Sequence, residues 1–484
     1  MPDEAKSRPV PPTGSGGLPK GIFVLAGLVV VLFLLGSNPV LGVVSSVVGC
    51  LVLMLLWRHH EPPSLAFVCG YQWLQAFAPV VQAELDGLTV SAKYGGPHSA
   101  LAIWYSLLGV LIFSAGAALA MKWLAPRSAD FPFEELRRLS IGPLLAIWVP
   151  SFLITAYFPD VLLVGGLRQG LQPLTTLGTI GVELLIFQRA FGTGENRPLA
   201  LVIFGLELAV GLTGFFSGFR TVFYLVMLAT LSLACVRRGS WTWLAATLVP
   251  LVGLCLFWQT IKSEYRSYAS GGEQVQVVAV SLADRATYVW QAAQATSWHS
   301  LGSASEELLD RMGYITFFAL CIDNVPRQVR HAEGRLWREA WEHVFMPRIF
   351  FPNKKELNDS ERTNEFSGMT VAGVTEGTSI GIGYVGESYV DFGVPLMFLP
   401  IFLFGVVVGA AYGLVVRMAP SRVLGVAAGT SLLFGCSLLL ESSNAKMFGG
   451  VVAGTVVYVT LFGVAGKWIM AWLCHPAPVR QAAP

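Results

Sequence analysis

Charged side chains are scarce in this chain, so each one at the edge of an apolar run raises a chemical question. In "GFFSGFRTVFYLV" (214–226), Arg220 stands between two apolar stretches, with Ser217 and Gly218 relaxing the turn before it. A guanidinium there offers a two-pronged clamp for phosphate oxygens at lipid-headgroup depth. Its plainer role is to snorkel, laying its stem along lipid with the charge in water. In "IKSEYRSYASGG" (261–272), Lys262, Glu264 and Arg266 interleave with Tyr265 and Tyr268. That is either an interfacial anchor or a second phosphate-facing cluster with aromatic faces for sugar rings. In "FMPRIFFPNKKELND" (345–359), Arg348, Lys354 and Lys355 lie around Pro347 and Pro352, whose rings fix the backbone. They are solvated loop charges or cations held in place. In "GIGYVGESYVDFG" (381–393), Glu387 and Asp391 come just before an apolar run. Paired carboxylates do acid–base work or hold arginines, or they cap a helix N-terminus, where negative charge is favoured.

The remaining chemistry is thin. Glu183 and Glu207 are the main ionisable residues inside apolar stretches and count as functional candidates. His98, His299, His331 and His343 show no ligand spacing and read as surface residues. There is no Walker A loop, no GxGxxG following a strand and no HExxH motif, which argues against an ATPase, a nucleotide-sugar transferase or a zinc protease. The seven cysteines, five of them within apolar runs, suggest neither disulfides nor zinc.

The elements that must position these groups are membrane helices. The 484 residues are 54% hydrophobic and 13% charged, about half the charge of a soluble domain. Apolar stretches fall near 21–37, 40–57, 63–84, 99–123, 141–158, 170–188, 198–216, 220–236, 241–261, 394–416, 423–440 and 448–472. Each is near the ~20 residues a crossing requires. The expected fold is therefore all-α, a polytopic membrane protein of about twelve transmembrane helices. Residues 1–20 read as a disordered leader, 21–261 as the first nine spans, 394–472 as the last three and 473–484 as a tail. The first apolar run has no convincing cleavage site and reads as a retained helix.

Orientation follows the basic residues of short connections. With a cytoplasmic N-terminus, the inner connections hold Arg58, Lys122, Arg127, Arg137, Arg138, Arg189, Arg197, Arg237, Arg238, Arg417 and Arg422. The short outer ones hold Lys93, Arg168, Arg220 and Lys446. Parity then places residues 262–393 outside as one large extracytoplasmic loop domain, with both termini inside. Residues 262–391 carry 12 basic and 17 acidic side chains, a net of −5. Within the loop, "VSLADRATYVWQAAQA" and "SASEELLDRMGYITFFALC" read as helices, the second opened by a Ser-x-x-Glu cap. "EGRLWREAWEHVF" reads as an amphipathic helix able to lie on a bilayer surface through Trp337 and Trp341. The segment from Met346 to Phe366 reads as irregular.

The order of "SGFRT", "IKxEYR", "PRxFFPNK" and "GYxGESYxDFG" around one large outer loop resembles the oligosaccharide repeat-unit polymerases of the O-antigen and exopolysaccharide type. Locally the resemblance spans about 214–409. It implies a metal-independent GT-C-type membrane glycosyltransferase in the bacterial inner membrane, without a cofactor. Its substrate would be a polyprenyl (undecaprenyl) diphosphate-linked oligosaccharide, with a chain-length regulator as a further partner and no role for nucleic acid. It implies that Arg220, Arg266 and Arg348 hold the donor diphosphate as the anomeric bond breaks, electrostatic catalysis in place of a metal. Glu387 or Asp391 would orient an arginine or take the acceptor proton. Lys262, Tyr265, Lys354, Lys355, Tyr384 and Tyr389 would contact the substrate. A glycan ligase, or a flippase for lipid-linked glycans, is the alternative; a transporter usually shows inverted repeats and broken helices, and no internal repeat is evident.

Overall fold

The computed structural model of the protein describes residues 20–125, 127–128, 130–158, 168–216, 218–233, 240–272, 278–346, 351, 358–371, 373 and 379–474. These residues are helical throughout, with no strand among them. The first part contains α1 (Lys20–Leu34), α2 (Pro39–Leu56), α3 (Ser64–Leu85), the short α4 (Val90–Lys93), α5 (Pro97–Leu124), the short α6 (Phe133–Arg138) and α7 (Ile141–Tyr157). Next, α8 (Arg168–Thr176) runs through a π turn, Leu177–Gly181, into α9 (Val182–Gly192). Then come α10 (Arg197–Thr213), α11 (Arg220–Ser232) and α12 (Ser240–Ala269). A polar middle segment forms α13 (Leu282–Ala295), α14 (Trp298–Met312), α15 (Thr316–Asn324), α16 (Arg335–Phe345), α17 (Asp359–Ser367) and α18 (Tyr384–Phe392). The chain closes with α19 (Phe398–Met418), α20 (Arg422–Gly435) and α21 (Asn444–Leu473).

Each of the twelve apolar stretches overlaps a helix among the described residues, as expected where lipid leaves backbone groups no partner but each other. Among the described residues, seven helices are long and apolar enough to cross a membrane: α2, α3, α5, α8–α9 (from Gly170), α12, α19 and α21. Four more, from Gly21, Ile141, Arg220 and Arg422, are apolar but only 10–17 residues long. The protein is thus a helical membrane protein. Large apolar side chains such as Leu35, Leu201, Val249 and Trp468 stay exposed on the helix surfaces, where lipid is the matching solvent.

The connections gather at two ends. At one, Glu61 accepts from Arg58 Nε at 2.8 Å, from Arg422 Nε at 2.7 Å and from the Ser128 N–H at 3.2 Å. Arg58 also donates to the Ala125 carbonyl, and Arg189 joins Leu139 and Glu195 at the same end. At the other, Glu84 accepts the N–H groups of Ser37 (2.8 Å) and Asn38 (3.0 Å), making 35–38 a hairpin and not a break within one helix. Asn444 and Glu387 meet at that second end. Among the described residues, the connections around Arg58, Ala125 and Arg422 meet at Glu61, and those around Gly383 and 436–443 meet at Glu387.

Two apolar clusters fill the interior, one around α2, α3, α5 and α19–α21 and one around α7 and α9–α12. The most extensive helix pair is α5 with α19. A Cβ on Gly405 would fall 2.1 Å from the Phe113 carbonyl oxygen, and one on Gly409 2.2 Å from that of Ala117. Small residues let the two backbones touch, the means by which helices associate in lipid, where burial of apolar surface gives no advantage.

The middle segment departs from the expected pattern in three places. The helix expected to begin at the Ser303 cap begins at Trp298, and it breaks after Met312. The chain there docks on α3: the Tyr314 N–H donates to the Gln75 carbonyl at 3.2 Å, and a Cβ on Gly313 would lie 2.7 Å from Pro79 Cγ. Residues 359–367, expected to be irregular, are helical because Asn358 caps them, its side-chain oxygen accepting from the Ser360 and Glu361 N–H groups. Finally, Trp337 does not lie on a bilayer surface. It is buried with Nε1 donating to Ser388 Oγ at 3.2 Å. Only Trp341 stays half-exposed, against Phe448 at 4.5 Å between centroids.

Candidate functional site

The glycine-rich approach to α18 explains where its carboxylates go. Gly383 has φ +82, and a Cβ there would lie 2.3 Å from the Leu440 carbonyl oxygen. Only glycine allows this crossing of the 436–443 connection, and the crossing sets Glu387 under the first turn of α21. Glu387 is buried, 1% exposed. Its Oε2 accepts the Asn444 N–H at 2.7 Å and its Oε1 a hydrogen bond from Arg362 Nη1 at 3.2 Å. Arg362 also donates through Nη2 to Glu339 at 2.7 Å. Asp391 caps α16, accepting from the Leu336 N–H at 3.0 Å and the Trp337 N–H at 2.9 Å. Glu387 therefore holds an arginine and Asp391 caps a helix. Neither carboxylate is open to a substrate proton.

The substrate-contact tyrosines are equally committed. Tyr265 is buried with its hydroxyl donating to the Thr213 carbonyl. Tyr384 is buried and donates to Gln72 Oε1 at 2.9 Å. Tyr389, 8% exposed, donates to the Val325 carbonyl at 2.9 Å. All three pack the fold beneath the site, because each ring faces the interior of its helix pair. Arg266 is half-buried between the rings of Phe215 (5.1 Å) and Phe216 (5.6 Å), with Nε donating to the Phe215 carbonyl at 3.2 Å. It grips the turn that leads into Arg220, so two of the predicted arginines share one turn. Lys262 is half-buried one turn earlier on α12. Nearby, a shallow cleft of about 740 Å³ runs past Ser263, Glu264, Tyr268 and Gly271, where Tyr268 stacks on Tyr288 at 4.8 Å. Arg348, Lys354, Lys355 and Ser217 lie outside the described residues. Within the helices, Glu183 accepts from Trp148 Nε1 at 2.8 Å.

A second group of charges emerges that sequence spacing missed. Burial raises the Glu441 carboxyl above its usual range, against the opposing pull of Arg220, Arg311 and Lys446. Those three cations come from the start of α11, the end of α14 and the first turn of α21. Arg220 and Arg311 are exposed, while Lys446 bonds Asp359 at 2.6 Å and Ser379 Oγ at 3.0 Å. Three cations from elements far apart in sequence thus act electrostatically on one half-buried carboxylate. Such a group can stabilise a dianion arriving from solvent or from the headgroup layer, with Glu441 as a proton acceptor. For Arg362 a signal existed: Asn358 with Glu361 three residues on is a helix-start pattern. For Arg311 and Glu441 there was none, since nothing local brings them together.

Glu387 gives the site a pH response. Burial lifts its carboxyl from 4.5 to about 7, with Arg362 and the Asn444 N–H pulling the other way. Between those values the folded state keeps a proton that the unfolded chain has lost, so stability declines as pH rises. This contribution is complete below about pH 4.5 and gone once pH has passed through 7. Thermal unfolding in detergent from pH 4.5 to 8 should show a falling melting temperature for the wild type and a flatter profile for Glu387→Gln. Equal slopes would remove Glu387 as the source.

Neither a curated protein nor a solved structure matches the chain. Residues 98–440, which carry Arg220, Arg311 and the Glu387–Arg362 pair, match a domain of unknown function (DUF8712), and the chain belongs to that family.

Proposed function

We propose that the protein polymerises polyprenyl diphosphate-linked oligosaccharide repeat units at the extracytoplasmic face of a bacterial inner membrane. The observation that carries this reading is that Arg220, Arg311 and Lys446, from three separate helices, all act electrostatically on the half-buried Glu441. The sorting of connections into a Glu61 end and a Glu387 end supports twelve crossings with both termini inside. It also supports residues 262–393 as one outer domain. In the reaction, an acceptor hydroxyl attacks the anomeric carbon of the donor, the glycosidic C–O bond to diphosphate breaks, and the lipid diphosphate leaves with the electron pair. The cations stabilise the charge that develops on it, and Glu441 takes the hydroxyl proton. Arg266 acts one step back by fixing the turn that aims Arg220, and Glu387 with Arg362 fixes the floor from which Lys446 projects. No nucleotide is required, since the diphosphate bond is already activated.

The test is purified protein with lipid diphosphate-linked repeat units and no added nucleotide. Wild type should form a ladder of longer glycans. Arg220→Ala and Arg311→Ala should each lower the rate about 10²–10³-fold while leaving the melting temperature within a degree or two. Unchanged ladders in both variants would end the proposal. Transfer of a finished chain to a different acceptor, without a ladder, would make the protein a ligase instead.

A further inference from the structure

A cleft of about 600 Å³ lies between α9, α10, α11 and α12, and Glu441 is not in its lining. Its walls include Phe191, Phe204, Phe223, Trp243 and Leu254, with Arg197 also in the lining. The two threonines in its wall give it no polarity, because Thr230 and Thr247 donate back to the carbonyls of Val226 and Trp243 in their own helices. Along α10 the lining runs from Arg197 to Leu208, and along α12 from Trp243 to Leu254. Eleven residues at 1.5 Å each give about 16 Å, close to one leaflet of a ~30 Å hydrocarbon core. Arg197 sits at the Glu61 end of the cleft. The neighbouring carboxylate, Glu195, is taken by Arg189 at 2.7 Å. Arg197 is exposed and forms no ion pair among the described residues, its Nε held by the Ala190 carbonyl at 3.3 Å. Trp243, 57% exposed, packs at a tilt against Phe191 at 5.6 Å between centroids, where an indole marks the membrane interface.

We infer that this cleft is a binding site for one acyl chain of an anionic glycerophospholipid from the leaflet on the Glu61 side, its phosphate held by Arg197. Depth, apolar walls and an exposed cation that forms no ion pair among the described residues together match one lipid tail beneath one charged headgroup. The inference needs only the membrane embedding of the helices and is independent of the glycan chemistry.

The full-length protein, delipidated in detergent, would be titrated with dioleoyl phosphatidylglycerol and dioleoyl phosphatidylcholine and read by native mass spectrometry. Phosphatidylglycerol should bind in preference, and Arg197→Gln should weaken it about fivefold, the worth of one basic residue at an anionic surface. Ala246→Trp, which fills the cleft from an exposed position, should abolish the preferential adduct without unfolding the protein. Equal binding of the two lipids would overturn the inference. So would an adduct that survives Ala246→Trp, or preferential retention of a polyprenyl phosphate.

Discussion

Arg362→Ala is expected to destabilise the protein by about 3–5 kcal/mol, the cost of leaving a buried charge without its partner. Glu387 is 1% and Arg362 6% exposed, so water cannot replace the lost guanidinium. The loss should itself depend on pH. An unpaired Glu387 escapes the penalty by taking a proton, so the cost of Arg362→Ala should be smaller near pH 5 than near pH 8. Removing both charges, as in Arg362→Met with Glu387→Gln, should recover much of the stability, because a matched apolar or neutral replacement leaves no orphaned ion. Chemical unfolding in detergent at the two pH values reads all three outcomes. A cost independent of pH, with no recovery in the double variant, would mean that the arginine acts through packing alone.

Gly405→Leu should be comparably damaging for a different reason. The Cβ would need space 2.1 Å from the Phe113 carbonyl oxygen, and α5 can only yield by moving as a whole. Overpacking usually costs about 1–3 kcal/mol; here the obstacle is backbone on the most extensive helix pair, so about 3 kcal/mol or more is expected. Gly70 provides the contrast, since a Cβ there meets nothing within 4 Å. Gly70→Ala should be neutral or stabilising by up to about 1 kcal/mol through helix propensity. Equal melting temperatures for Gly405→Leu and wild type would refute the tight α5–α19 crossing.

The two glycines show how far the chain can be read alone. Both stand in apolar helical stretches, and nothing near either residue in sequence distinguishes them. The positions of the helices were legible because twenty or so apolar residues in lipid have one way to satisfy their backbone. That rule is local, and each expected stretch overlaps a helix among the described residues. Arg220 stood out by its place at a boundary, and its turn-mate Arg266 by the basic run in the last turns of α12.

Pairing was decided elsewhere. Glu387 looked equally suited to acid–base work, to holding an arginine or to capping, and only its position under the Asn444 N–H and beside Arg362 separates these. Asp391 and the three tyrosines likewise looked available, yet each points into a contact made by residues some 50 to 310 positions away. Glu441 drew no notice because a lone carboxylate in a short connection carries no local signal. Its chemistry comes from cations on α11, α14 and α21. Local periodicity fixes which face of a helix is apolar, whereas the partner of each polar side chain depends on which helices meet, and that is set by backbone approach at residues such as Gly383 and Gly405.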